Sequence, residues 1–433
     1  MKTKNIFGIL IIVLLLISCT NNSYIIKPNM DCVETINTSI KKEMTNKTSV
    51  NHEISDVTLT AVGDIMCHIQ QLYRGYNKID DSFNFAESFK YIEKYISNSD
   101  YTIGNLETTF AGKNKGRNYR PYNDYMGYKG YPCFNTPEIL AQNLKEVGFD
   151  LVSTCNNHSL DSKYEGILST LDYLDEQGIN HVGTYRNQLE ADKIFIKEIK
   201  GIKFAFLAYT YGTNGFLLPE DKSYLVNTLD MYDEEKVNQM IEKVIKAHNS
   251  EADVVIAILH FGNEYCDFPN SYQKNIVDKL FEAGADVIIG SHPHVLQPLE
   301  IRDIKSNNGT IRKGVVIYSL GNFISSQRYS ENNPANTDIG AILNVNFRKI
   351  DNHTPEIMSV SFVPTCTYRN KNELAVLPVD EVLDNISSYN LNINEYGMNR
   401  LRYSHYHTYK HLLSYIDTEY IYEKYKYTIK IIN

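Results

Sequence analysis

The sequence predicts an α/β fold built in layers, on two observations. Short apolar strand patterns alternate with segments of helical period along most of the chain. That alternation fits a sheet covered by helices rather than an all-β sandwich. The strands also end repeatedly in polar clusters, at Asp64, Glu107, Asn157, His260 and His292. In α/β folds, ligands gather at the carboxyl ends of strands. With 433 residues the chain can hold two ordinary domains or one large domain with insertions. A net charge of −9 leaves no basic excess to neutralise phosphates, so nucleic acid is not an expected partner.

Residues 1–19 read as an export signal rather than as fold. Lys2 and Lys4 precede an apolar run over 6–17 that is too short for an ordinary transmembrane helix. The run ends in Leu16-Ile17-Ser18-Cys19, which resembles a bacterial lipoprotein signal and implies acylation of the Cys19 thiol. A plain signal peptide or an uncleaved anchor is the alternative. Lipidation implies a protein held on the outer face of the cytoplasmic membrane. Residues 20–55, rich in Asn, Thr, Ser and Lys, read as a flexible tether. The six cysteines after Cys19 contain no C-x-x-C pair, which argues against a structural zinc knuckle and selects no disulfide pairing.

Order is expected from residue 57. Residues 57–62 alternate as a strand and lead into Gly63-Asp64. Residues 85–97 read as a helix, and 101–103 as a strand running into Glu107. Residues 111–134 hold four glycines, two prolines, five tyrosines and five basic residues, so they read as a long irregular loop. A helix starts at Thr136-Pro137 and stops at Gly148. A strand over 150–154 ends at Asn156-Asn157-His158, and a helix over 163–177 is closed by Gly178. Residues 194–199 and 203–209 read as a strand pair around Gly201, and 233–247 as a helix. Strand 254–259 leads into His260. Ser271 is the expected cap of a helix ending at Gly284. Strand 285–289 leads into His292-Pro293-His294, where a rigid turn can aim two imidazoles at one point. Strand 315–320 precedes Gly321-Asn322, and the alternating stretches 342–347 and 356–364 suggest the end of a second sheet.

The strand-end donors are Asp64, His68, Glu107, Asn157, His158, His260, His292 and His294. They are too many for one closed tetrahedral site and include no thiolate. They suit two neighbouring divalent ions sharing a carboxylate, with Mn, Zn or Fe compatible. Other readings stay open for their neighbours. Asn156 and Asp161 can be helix caps, and Cys67 and Cys155 small buried fillers. Tyr265 either orients His260 or meets substrate, and Asn322 either satisfies loop backbone or meets substrate. His405, His407 and His411 read as surface residues.

Six blocks occur in order: Gly63-Asp64-Ile65-Met66, Gly104-Asn105-Leu106-Glu107, Asn156-Asn157-His158-Ser159-Leu160-Asp161, His260-Phe261-Gly262-Asn263-Glu264-Tyr265, the run GSHPHVLQP from Gly290, and Ser319-Leu320-Gly321-Asn322-Phe323. Together they resemble the CapA family of poly-γ-glutamate capsule biosynthesis proteins, over residues 57–364. The resemblance implies a four-layer αββα metallophosphoesterase-like sandwich over residues 56–365, with a small C-terminal extension at 366–433. It implies that Asp64, His68 and His294 hold one metal and Asn157, His260 and His292 a second, with Glu107 bridging and His158, beside Asn157, facing substrate. Two departures from the phosphoesterase pattern stand out. Asp64 and His68 are four residues apart instead of two, and Glu replaces the usual bridging Asp.

The function expected is a surface-anchored, metal-dependent hydrolase acting in poly-γ-glutamate synthesis, export or release. Partners would be that polymer or another anionic surface polymer, together with membrane-embedded synthase subunits. Because polymer and protein are both acidic, attraction must be local. Arg117 and Arg120 on the long loop, with Lys113, Lys115 and Lys129, are the expected contacts. The alternatives are a non-catalytic polymer- or synthase-binding subunit and a metallophosphoesterase acting on an exported phosphorylated substrate.

Overall fold

Two β-sheets stack face to face, and helices cover their outer faces. The computed structural model describes residues 52–117, 124–230, 233–305, 309–330, 335–371 and 373–431. The signal, nearly all of the tether, Cys19 and Arg120 lie outside them. Among the described residues the larger sheet has ten strands. Ile54–Ile65 is central and pairs in parallel with Tyr101–Leu106, which continues in parallel to Leu151–Ser153 and Asn180–Val182. On its other side it pairs antiparallel with Ile339–Ile350, which leads to Glu356–Arg369. The second sheet has six strands, and its parallel centre is Ile202–Thr210, Val254–His260, Val287–Ser291 and Ile311–Leu320.

The hydrophobic pattern explains the stacking. Val57, Leu59 and Ala61 alternate on one face and meet Phe204, Phe206, Ile256, Ile258 and Ile289 of the other sheet. The outer face of the larger sheet buries Phe89, Ile92, Ile96, Leu140 and Leu144. The outer face of the smaller sheet is covered by the helices Glu234–His248 and Ser271–Ala283, through Met240, Val244, Ile276 and Leu280. This is the four-layer αββα arrangement. Cys67 and Cys155 fill space in these cores, and the five cysteines Cys67, Cys133, Cys155, Cys266 and Cys366 are unpaired. No helix of the described residues is long and apolar enough to cross a membrane.

Several local expectations are corrected. Residues 85–97 do not form one helix. A 3-10 turn at Ala86–Ser88 and a short helix at Glu93–Ser97 are joined by three-residue turns, Phe89 N to Ala86 O and Ile92 N to Phe89 O. That tighter winding puts Phe89, Ile92 and Ile96 together beneath the sheet. Asn270, not Ser271, caps the Ser271–Ala283 helix. Its side chain accepts from Gln273 N at 2.8 Å, while Gln273 Oε1 accepts from Asn270 N at 3.0 Å. The stretches 342–347 and 356–364 join the first sheet rather than a second one, because Ile339–Ile350 docks on Ile54–Ile65. Residues past 366 extend the same sheet through Leu374–Pro378 and Lys426–Lys430. His411 is buried on the Glu395–Leu412 helix and bonds the Asp267 carbonyl at 2.6 Å, so it is not a surface residue.

The sheets place the parallel strand ends at one edge, and glycine makes the close approach there possible. A Cβ at Gly290 would lie 2.0 Å from the Tyr318 carbonyl oxygen, and one at Gly63 would lie 1.8 Å from that of Gly321. Neither neighbour is a flexible side-chain tip that could yield. Gly290→Ala is therefore expected to destabilise the protein by about 3 kcal/mol or more, since overpacking against backbone forces strands apart. Urea melts check this, and a change under about 1 kcal/mol would show that the strands separate easily.

Candidate metal centre

Each donor sits where a strand stops. Ile54–Ile65 changes register against Tyr101–Leu106 between Ala61 and Asp64, and this irregularity re-aims the Asp64 side chain. Asp64 N donates to Gly321 O at 3.0 Å, and Glu107 N donates to Ile65 O at 3.0 Å, which fixes both carboxylates beside each other. Asn157 and His158 lie on the turn after Leu151–Ser153. His260 ends its strand. His292 and His294 follow Val287–Ser291 with φ of 97° and 59°. Left-handed backbone at two histidines stores strain of about 1–3 kcal/mol each, and such strain collects where side chains must be aimed. Pro293 lies between them, and its carbonyl accepts from Tyr265 N at 2.8 Å.

Glu107 is the centre of the arrangement. It is 0% exposed, and neither carboxylate oxygen has a hydrogen-bond partner. The Nε2 atoms of His260, His158 and His294 stand 3.7, 3.9 and 4.0 Å from Glu107 Oε1. Asp64, Glu107 and His294 present ligand atoms that all lie within 4.8 Å of one another. Asp64 Oδ2 is 3.2 Å from His294 Nδ1. On the other side, Asn157 Oδ1 lies 2.9 Å from His260 Nε2, and the His292 ring lies 4.8 Å from that of His260. His292 Nδ1 is buried without a partner.

Burial, and next the Asp64 carboxylate, push the Glu107 carboxyl far above its ordinary range. Burial and the neighbouring imidazoles hold His260 and His292 well below the ordinary histidine value. His294 goes the other way. Burial lowers it, but the hydrogen-bonded Asp64 carboxylate outweighs burial and raises it. An acid pushed up by burial beside His260 and His292, which are pushed down, suits a cation that would take the place of the proton. The donors, two carboxylates and several imidazoles without thiolate, fit a divalent ion.

The remaining expected residues fall in different places. His68 caps the Ile69–Gly75 helix, and its Nδ1 is 3.4 Å from the Ser326 amide. Burial pushes it down to about 3. Asn322 is buried, with its Oδ1 3.1 Å from His294 Nδ1 and its amide donating to Thr337 O. It orients a histidine rather than lining the opening. Tyr265 is exposed, its ring 6.0 Å from His294. Arg117 stacks on Phe216, with the guanidinium carbon 3.9 Å from the ring centre. Lys129 is buried and bound to Asp124, so it is not an available loop cation. A cleft of about 200 Å³ opens above the donors, lined by His158, Asn157, Asn214, Phe216, Tyr131 and Glu264 among others.

Some functional residues escaped the sequence reading. Asp161 is not a cap: its Oδ2 lies 2.7 Å from His158 Nδ1 and accepts from Phe134 N at 2.6 Å. Asn105 donates to Asp64 Oδ1 at 2.8 Å and lies 3.2 Å from His260 Nδ1, tying the two sheets' donors together. Strand alternation carried that signal, since residues 105 and 107 share a face. Ser291 Oγ is 3.0 Å from His260 Nδ1, and the Tyr211 ring lies 4.4 Å from that of His292. These contacts come from distant segments and leave no local pattern.

Comparison with known proteins gives one family match, described as "Bacterial capsule synthesis protein PGA_cap", over residues 58–327. The chain is 27% identical over 282 residues to "Capsule biosynthesis protein CapA" of Bacillus anthracis, covering 65% of this chain and 62% of that protein. It is 30% identical over 280 residues to "PGA biosynthesis protein CapA" of Bacillus subtilis strain 168, covering 64% and 66%. The match thus spans just under two thirds of the length of either relative.

Two outcomes follow for the metal-free protein. Glu107, with its raised pKa, adds stability that is complete below the unfolded value near 4.5 and is lost as pH rises through the folded value. The depressed His260 and His292 add stability that is lost as pH falls below their unfolded value of 6.5. Glu107→Gln should abolish only the first loss, in urea melts run across pH, and an unchanged pH profile would contradict the burial of a lone acid. In the native protein, metal must displace protons from Glu107 and His294, so calorimetry in buffers of different ionisation enthalpy should register proton release and an affinity that rises with pH.

Proposed function

The chain belongs to the bacterial capsule synthesis protein family PGA_cap, and on that premise we propose a surface-anchored, metal-dependent hydrolase acting in poly-γ-glutamate capsule synthesis, export or release. One observation carries the catalytic part: a fully buried Glu107 without a hydrogen bond, faced by three imidazole Nε2 atoms. The name of the Bacillus subtilis relative supplies the polymer and that of the Bacillus anthracis relative the capsule. The sequence of residues 1–19 supports a lipid on Cys19 and a location outside the cytoplasmic membrane, near synthase subunits.

In this proposal Asp64, His68 and His294 would hold one divalent cation, Asn157, His260 and His292 would hold a second, and Glu107 would serve both, with Mn, Zn or Fe as the metal. Such a pair, when bound, supplies a hydroxide nucleophile at neutral pH and offsets charge on the departing group. The protein's own groups do the rest. Asp161 accepts the Nδ1 proton of His158, which leaves Nε2 facing the centre. In its imidazolium form, with Asp161 balancing the charge, His158 gives the Nε2 proton to the leaving nitrogen or donates it to the oxyanion. Ser291 holds His260, and Asn322 holds His294, each through Nδ1. Asn214 accepts from Asn157 Nδ2 at 3.1 Å and turns Oδ1 toward His260. The alternative reading is a metallophosphoesterase acting on an exported phosphorylated substrate.

Purified protein supplied with manganese should shorten poly-γ-glutamate and leave a generic phosphodiester and phosphomonoester intact. His158→Asn should lower that turnover by about 10²–10⁴-fold while metal content is kept. Turnover of a phosphate ester alone supports the second reading. No turnover with metal bound would leave a polymer- or synthase-binding subunit.

A further inference from the structure

We infer that Arg117, held over the cleft residue Phe216, is a subsite for a single carboxylate beside the reacting bond, so that the site reads one acidic group of its substrate rather than a polyanionic track. The inference rests on the capsule-polymer reading and names what that site recognises.

The guanidinium is fixed by two contacts, and the backbone that leads into it by a third feature. Gly116 precedes it at φ 85°, where a Cβ would approach Ser162 Oγ to 3.1 Å. Arg117 Nε donates to Leu160 O at 3.2 Å. Its carbon lies 3.9 Å from the centre of the Phe216 ring. Phe216 is itself held in a turn, its N donating to Thr213 O at 2.9 Å and its O accepting from Thr213 Oγ1 at 2.6 Å. Leu160 belongs to the same turn as His158 and Asp161, so the cation keeps a set position relative to the histidine that faces the donors. Burial raises the Asp161 carboxyl, and Arg117 adds only a small opposing pull behind those of His158 and the Phe134 amide.

With Nε occupied and one face against an aromatic ring, the two terminal amino groups are what remain. They carry no hydrogen bond or ion pair to a described residue. An edge of two parallel N–H groups matches a carboxylate, and stacking holds the fork ready at little entropic cost. The other described loop cations differ. Lys129 is bound to Asp124, Lys113 to Asp81, and Lys115 stands exposed. One guanidinium balances one monoanion, and Glu264, which lines the cleft together with Phe216, disfavours a second acid or a phosphate dianion there. In a γ-linked glutamyl chain, every residue offers one such carboxylate next to the amide.

Calorimetric titration of the purified full chain tests the assignment, using tri-γ-glutamate, its α-carboxamide derivative and inorganic phosphate as probes. Native protein should bind the trimer, lose about tenfold or more in affinity for the carboxamide, and bind phosphate more weakly than the trimer. Arg117→Gln should weaken trimer binding by a similar factor. Arg117→Lys, which keeps charge but not the fork, should lie between, and Phe216→Ala should also lose affinity. Metal content measured on each variant reports that the centre is intact. Equal trimer affinity in native and Arg117→Gln proteins overturns the subsite and leaves the capsule-polymer reading in place. Tighter phosphate than trimer binding that depends on Arg117 overturns the choice of carboxylate. Metal-loaded native protein that binds neither trimer nor polymer overturns both.

Discussion

A carboxylate sealed from water without a hydrogen bond is the constraint on which the rest of the structure turns. Burying an ionised acid alone costs several kcal/mol, so the group either holds its proton or waits for a cation. Glu107 sits in that position, and its surroundings are costly to maintain as well. His292 and His294 occupy left-handed backbone, and Gly63 and Gly290 accept approaches that no side chain could. A fold concentrates strain and unsatisfied polarity at one point when function requires it. Burial and neighbouring imidazoles hold His260 and His292 low, which favours the neutral state that ligates, while Asp64 raises His294.

The sheets explain how such a point is made. Each donor lies at the carboxyl end of a strand, and two stacked sheets bring two sets of ends to one edge. Asn105 joins them, reaching Asp64 of its own sheet and His260 of the other. The apolar interface between the sheets therefore sets the spacing of the donors, although it lies outside the centre. The His158–Asp161 pair and the Arg117–Phe216 pair are mounted on loops above this edge.

Legibility in the sequence followed how local each signal was. The alternation at residues 57–62 and the polar strand ends gave the layered class and the donor positions. Gly148 and Gly284 closed the helices where expected, with φ of 114° and 112°. The C-terminal strands were assigned to the wrong sheet because alternation reports that a face is buried, not which strand lies alongside. Residues 85–97 kept helical spacing but took tighter turns, since tertiary packing of Phe89, Ile92 and Ile96 overrode propensity. Asp161 looked like a cap because Asp near a helix start usually is one. Its true partner, His158, was only three residues away. Ser291 and Tyr211 carried no readable signal, because their roles depend on contacts made after folding.

The central claim is that the strand ends enclose a divalent cation at Glu107. Anomalous diffraction from crystals of the protein grown with manganese measures this directly. Strong peaks are expected on either side of the Glu107 carboxylate, one toward Asp64 and His294 and the other toward Asn157 and His260. Manganese found elsewhere, with no peak beside Glu107, would contradict it.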